Sequence, residues 1–208
     1  MIIMAKEIIP KDSRYVPLTQ QRFCCVPTCI QVVMLRHGMP LISAELMGYH
    51  MGLLVPKEDR GLFWNAKTGP RPATGYGVRL GRKGYEPNAV LRKLGIPLKI
   101  NLIPIGKFKD LKRADVYLEE LSKTDKDIVV CFDSGVLFGG RERQGHVCVV
   151  DKIYPEQKEL RIIDPGSRVP KWRTVKIEKL FKAMKFHDKG SKMAGFWEII
   201  PTNRNKDK

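Results

Sequence analysis

The feature that most constrains the fold is the stretch GHVCVVDKIYPEQKELRIIDPGS, residues 145 to 167. Two short runs, HVCVVDKIY (146 to 154) and ELRIID (159 to 164), are rich in β-branched side chains and are separated by the polar PEQK. Such side chains pack well on a pleated surface, so the pattern predicts an antiparallel hairpin. With its centre near Pro155 or Glu156, His146 and Asp164 come opposite or nearly opposite each other. Directly opposed residues have Cβ atoms about 5 Å apart, close enough for a carboxylate to hold an imidazole. Such a carboxylate fixes the tautomer and favours the charged ring. A plainer reading of the same residues is a strand that begins at His146 and a turn that begins at Asp164, since Asp-Pro-Gly is a good turn on its own merits.

A hairpin alone is marginal, and the sequence supplies partners for it. DIVVCF (127 to 132) and residues 98 to 103 and 195 to 200 also read as strands. Helical periodicity begins at Cys25, with inward-facing positions at Val26, Cys29, Ile30, Val33, Met34 and His37. Gly38 and Pro40 stand in the expected stop positions. Further helices are predicted from Ser43, as a cap, to about Met51, over 88 to 94 with Gly95 as the stop, over 115 to 121, and over 177 to 184. Residues 1 to 20 read as an extended lead-in. Residues 56 to 88 are rich in Gly, Pro and Arg without sustained periodicity, and are expected to form a long basic loop insertion. The expectation is one domain over residues 1 to 208.

Composition narrows the setting. Five cysteines are an odd number without the spacing of a disulfide framework, which points to a reducing, cytoplasmic environment. The opening MIIMAKEIIPKD is too short an apolar run for a signal peptide, and no later run is long enough for a membrane span. The net charge is +16, and between Lys57 and Arg113 there are 14 Lys and Arg against 4 Asp and Glu. A basic surface of this kind can attract nucleic acid, an anionic membrane or an acidic partner. No aromatic-interleaved recognition motif accompanies it.

Three cysteines lie in RFCCVPTCIQVVMLRHG, residues 22 to 38. A thiol in the first turn of a helix meets the positive end of the helix dipole, which favours thiolate and nucleophilic chemistry. Cys25 occupies that position. Cys29, one turn later, is expected in the core, and Cys24 precedes the helix and points elsewhere. Four ligands for a metal could be drawn from Cys25, Cys29, His146 and Cys148, but their spacing does not match the close pairs of structural zinc sites. A nucleophile also needs an oxyanion donor. Gln20 and Gln21 stand where a side-chain amide could join the Cys25 N–H, with Gln20 the first choice.

In this chain order, Gln20, Cys25, His146 and Asp164 resemble the papain-like cysteine peptidases, specifically the C39-like peptidase group. The nucleophile segment of that family is met by QQRFCCVPTCIQVV, with Val26 where Gly is usual and Gln20 one residue nearer the Cys than usual. Its Gly-His strand, hairpin and Asp-Pro are met by GHVCVVDKIYPEQKELRIIDPGS. KIEKLFKAMK and GFWEIIP are similar to the end of that domain. The resemblance implies an α+β, papain-like fold with an N-terminal helix packed on an antiparallel sheet. It also implies cleavage of a peptide or amide bond through a Cys25-His146-Asp164 triad assisted by Gln20. No cofactor or metal, and no membrane, is part of that expectation, and the partner is a peptide or protein substrate. A catalytically inactive papain-like binding domain and a basic nucleic-acid-binding protein are the alternatives.

Overall fold

The computed structural model describes residues 10–63, 71–140 and 144–202. In chain order these form α1 (Cys25–Arg36), α2 (Ala44–His50), β1 (Leu54–Val55), β2 (Ala73–Thr74), α3 (Pro87–Lys93), β3 (Leu98–Pro104) and α4 (Leu111–Ser122). Then follow β4 (Asp127–Asp133), α5 (Ser134–Phe138), β5 (Gly145–Tyr154), β6 (Glu159–Ile163), β7 (Trp172–Lys176), α6 (Ile177–Asp188) and β8 (Gly195–Pro201).

Every residue of β4 is buried, which a strand achieves only when both faces of its sheet are covered. The sheet has the order β3-β8-β4-β5-β6-β7, and each neighbouring pair is antiparallel. On one face Val129, Cys131, Val147, Val149 and Trp197 pack with the inner sides of α1, α2 and α3. On the other, Val130, Phe132, Cys148 and Val150 pack with α4 and α6. An N-terminal helix on an antiparallel sheet is thus the observed architecture, as expected.

The far end of α1 is tied down by a buried carboxylate. Asp127 accepts from Tyr15 Oη (2.7 Å), Arg36 Nη1 and His37 Nε2 (2.6 Å), and it is 1% exposed. His37, counted above on the inward face of the helix, is therefore a hydrogen-bonded anchor rather than a core residue. α2 begins as predicted, with Ser43 Oγ accepting from the Leu46 N–H.

Three expectations need correction. Residues 56 to 88 are not wholly irregular: they hold a short 3-10 helix (Lys57–Leu62), β2 and the start of α3, although 64 to 70 lie outside the described residues. β2 pairs in parallel with β1, too short a pairing for periodicity to reveal. Second, α5 and β7 were not predicted. α5 is a five-residue turn capped by Asp133, whose carboxylate accepts from the Val136 N–H, and closed by Gly139 at φ +80°. β7 buries only Val175 and so lacks an apolar signal. Third, the basic stretch does not form one stripe among the described residues. α3 packs on the α1 face of the sheet and α4 on the opposite face, so its cations are divided between the two.

The predicted hairpin carries one irregularity with consequences for the site. Tyr154 pairs with Glu159, Ile153 with Leu160 and Lys152 with Arg161, but the next pair is Val150 with Ile162. Asp151 is the extra residue of a β-bulge. Its carboxylate is held by Arg161 Nε and by the hydroxyl of Ser13 (2.8 Å), which reaches in from the lead-in. Because side chains alternate faces, a one-residue shift exchanges the faces of every later residue. Without the bulge Asp164 would fall across from Val149, on the face away from His146. With it, the Val149–Ile163 pairing carried one step further puts Asp164 across from Cys148, on the same face as His146.

Candidate active site

His146 Nε2 lies 2.8 Å from Asp164 Oδ1. The two are diagonal neighbours rather than directly opposed, because the turn pairs Tyr154 with Glu159 and the register after the bulge sets Asp164 across from Cys148. Asp164 is 2% exposed and is surrounded by donors: the Gly166 N–H (2.9 Å) reaches Oδ1, and Arg173 Nη1 (3.1 Å) reaches Oδ2. Burial pushes the Asp164 carboxyl up, but the imidazole, the Gly166 amide and Arg173 together hold it below the ordinary 3.8. Gly166 has a reason in this contact: a Cβ there would lie 2.8 Å from Val169 Cγ2 and 3.0 Å from Asp164 Oδ1, so one of those side chains would have to shift. Gly145 has a similar reason, because a Cβ would meet the His187 ring at 2.7 Å.

Two sulfurs, Cys148 and Cys25, lie near enough to the His146 ring to act on its charge. Burial disfavours its charged form. The Cys148 sulfur, the Asp164 carboxylate and the Cys25 sulfur outweigh burial and hold the ring well above 6.5. Burial pushes the Cys148 thiol up to about 11, against the pull of the His146 ring, and the carboxylate that faces the ring is that of Asp164. With Nε2 given to Asp164, Nδ1 is the nitrogen left to exchange a proton with a thiol.

Cys25 stands at the first position of α1 and is the one partly exposed thiol of the five; Cys24, Cys29, Cys131 and Cys148 are buried. Burial raises the thiols of Cys24, to about 12, and of Cys29 and Cys131. Cys29 donates its S–H to the Val147 carbonyl (3.3 Å) and lies in the core, as expected. Cys24 packs with Leu53, Val55 and Phe63. It caps α1 without a side-chain hydrogen bond, so the first-turn amides are left without a protein side-chain cap. Val26 is 4% exposed and directed into the core, away from the exposed side of Cys25.

The two glutamines separate. The Gln20 N–H donates to the Pro165 carbonyl (2.8 Å), beside Asp164, and its Oε1 is buried without a hydrogen-bond partner among the described residues. Gln21 turns outward, where Nε2 donates to the Leu62 carbonyl (3.4 Å).

Of the four ligands drawn from the sequence, Cys29 is committed to a backbone carbonyl. A different trio, His146, Cys148 and Asp164, places its ligand atoms within 4.8 Å of one another. Those groups are engaged with each other and with the Arg173 guanidinium, whose positive charge opposes a cation at that point. Arg173 is the residue that sequence reasoning missed. It lies on β7 opposite Ile162, with its guanidinium 3.4 Å from the Phe138 ring centroid. The strand that carries it has no sustained apolar pattern.

The His146–Asp164 pair has a definite pH signature. A raised imidazole contributes stability that is complete below its unfolded value of about 6.5 and is lost as pH rises through the folded value. A lowered carboxyl contributes stability that is complete above about 3.8 and is lost as pH falls through its folded value. Asp164→Asn is therefore expected to cost about 1–3 kcal/mol, most of all between about pH 4 and 6.5. Thermal unfolding of both forms across pH 3 to 9 checks this. A deficit that does not change with pH would contradict it.

No protein-family model matches the chain, and no characterised protein matches it in sequence. Among solved structures it is similar to xylellain, a cysteine protease from Xylella fastidiosa. The identity is 13%, the match covers 94% of this chain and 85% of that one, and the TM-score is 0.48. Among the described residues no helix is long and apolar enough to cross a membrane.

Proposed function

We propose that this chain is a papain-like thiol hydrolase, of the C39-like kind, that cleaves a peptide or amide bond by acyl transfer to Cys25. The observation that carries the reading is that the one partly exposed thiol sits at the head of a helix against a histidine held by a buried, donor-ringed aspartate. Cys25 gives its proton to His146 Nδ1, and the thiolate of the resulting ion pair attacks the substrate carbonyl carbon. The resulting imidazolium is stabilised by Asp164 and gives the proton to the leaving amine, and water then releases the acyl group. The first-turn amide of Cys25 donates to the oxyanion. The Gln20 amide, turned so that Nε2 occupies the buried end, supplies a second donor. The mechanism uses no cofactor or metal, and the substrate is a peptide or protein.

An ordinary thiol is less than about 1% thiolate at pH 6, so selective alkylation there reports a base beside the sulfur. Iodoacetamide at pH 6 is expected to label Cys25 at least about tenfold faster than free cysteine, and Cys25→Ala is expected to remove that labelling. Equal labelling of the alanine variant, located by peptide mass mapping, would assign the reactive thiol elsewhere.

A further inference from the structure

The four residues that lead into Cys25 are all engaged by residues from 53 to 63 and by Tyr76. Gln21 donates to the Leu62 carbonyl, Arg22 pairs with Asp59, and the Phe23 ring meets Tyr76 edge-on at 5.7 Å. Cys24 is buried among Leu53, Val55 and Phe63. Phe23 takes φ +66°, a left-handed conformation that bulky L residues rarely adopt, and it stays half-buried while Cys24 beside it is enclosed. The strain falls next to the proposed nucleophile, where strained backbone tends to be functional.

The same residues include the two most exposed large apolar side chains among the described residues, Tyr76 at 70% and Leu62 at 63%. Neither stands on a loose loop tip. The backbone on either side of Tyr76 is fixed, since the Gly75 N–H donates to the Val55 carbonyl (3.0 Å) and the Gly77 carbonyl accepts from Leu54 N–H (2.7 Å). Apolar surface held against the residues that lead directly into a reactive group is a usual form of a recognition wall.

We infer that Phe23, Tyr76 and Leu62 form a specificity wall that receives an aromatic or large aliphatic side chain on the acyl side of the scissile bond. The inference rests on the proposed thiol hydrolase reading and adds its substrate preference. The acyl side follows from the placement of the acid. The leaving amine must lie toward His146 to take its proton, and the neighbours of that ring are Asp164, Phe132, Cys148 and Cys25, none of them in the wall, so the wall is assigned to the acyl side.

Two active-site probes test the wall without a known substrate. N-acetylphenylalanine chloromethyl ketone and N-acetylglycine chloromethyl ketone each alkylate a thiolate, forming an S–C bond as chloride leaves, and differ only in the side chain. Each rate at Cys25 is divided by the iodoacetamide rate of the same protein. The wild type is expected to favour the phenylalanine probe by about tenfold or more, Tyr76→Ala to reduce the preference to below about threefold, and Tyr76→Phe to keep it. Equal rates for the two probes, or a preference unchanged in Tyr76→Ala, would overturn the wall. If Cys25 still takes iodoacetamide selectively, the thiol hydrolase reading stands without it. A Cys25 that none of the three reagents labels would overturn both.

Discussion

His146→Ala is expected to abolish measurable amide hydrolysis, with a fall in kcat of about 10⁶ on any peptide amide that the wild type turns over. The size follows from the double use of one ring. In the proposed mechanism the imidazole takes the Cys25 proton and later gives it to the leaving amine, so its loss would remove both the base of the first half-reaction and the acid that completes it. Removal of Asp164 leaves that ring in place and should cost less, about 10⁴, because Asp164 orients and charges the imidazole without touching the substrate. The two variants also differ in alkylation. In His146→Ala, iodoacetamide labelling of Cys25 at pH 6 should fall to the level of free cysteine, whereas Asp164→Asn should retain part of its excess rate. A His146→Ala protein that hydrolyses within about tenfold of wild type would exclude the ring from the chemistry.

Asp127→Ala carries the largest expected effect on stability, a loss of about 3–5 kcal/mol. The Asp127 carboxylate, 1% exposed, is the common acceptor for Tyr15, Arg36 and His37. Its removal leaves the Tyr15 hydroxyl without that partner and the largely buried Arg36 guanidinium with only the exposed Asp125, and a buried charge that loses its buried partner costs more than the pair is worth. Against a total stability of about 5–15 kcal/mol for an ordinary domain, such a loss would move the urea midpoint far down. The same carboxylate joins the lead-in, the C-terminal end of α1 and the central strand, so the helix that bears Cys25 is anchored at the end remote from it. Urea unfolding followed by tryptophan fluorescence measures the change. A shift below about 1 kcal/mol would show that these groups find water instead.

Much of this was legible in the chain. The periodicity from Val26 to Met34 and the Gly38 stop located α1, and three β-branched runs located β4, β5 and β6 within a residue or so. These signals are local: side-chain spacing and turn chemistry act over a few residues, whatever the rest of the molecule does. Gln20, Cys25, His146 and Asp164 could be singled out for the same reason, since each stands at a recognisable end of such an element. The elements that were missed are those whose stability is borrowed. β1 and β2 are two residues each and exist through each other and through the contacts of residues 21 to 24, and β7 is an edge strand with one buried side chain. Arg173 was invisible with it.

The sequence alone determined the kinds of elements, their order, and which residues could carry acid, base and nucleophile. It did not determine that His146 and Asp164 share a face. With the turn that pairs Tyr154 with Glu159, an unbroken alternation along HVCVVDKIY would put Asp164 on the wrong side of the sheet. The bulge at Asp151 corrects this, and it is held by Arg161 from the neighbouring strand and by Ser13 from 138 residues away in sequence. Cys24 was likewise undetermined until the segment from 53 to 63 closed over it. Periodicity is a property of neighbours along the chain, whereas register parity and burial depend on partners that only the folded sheet brings together.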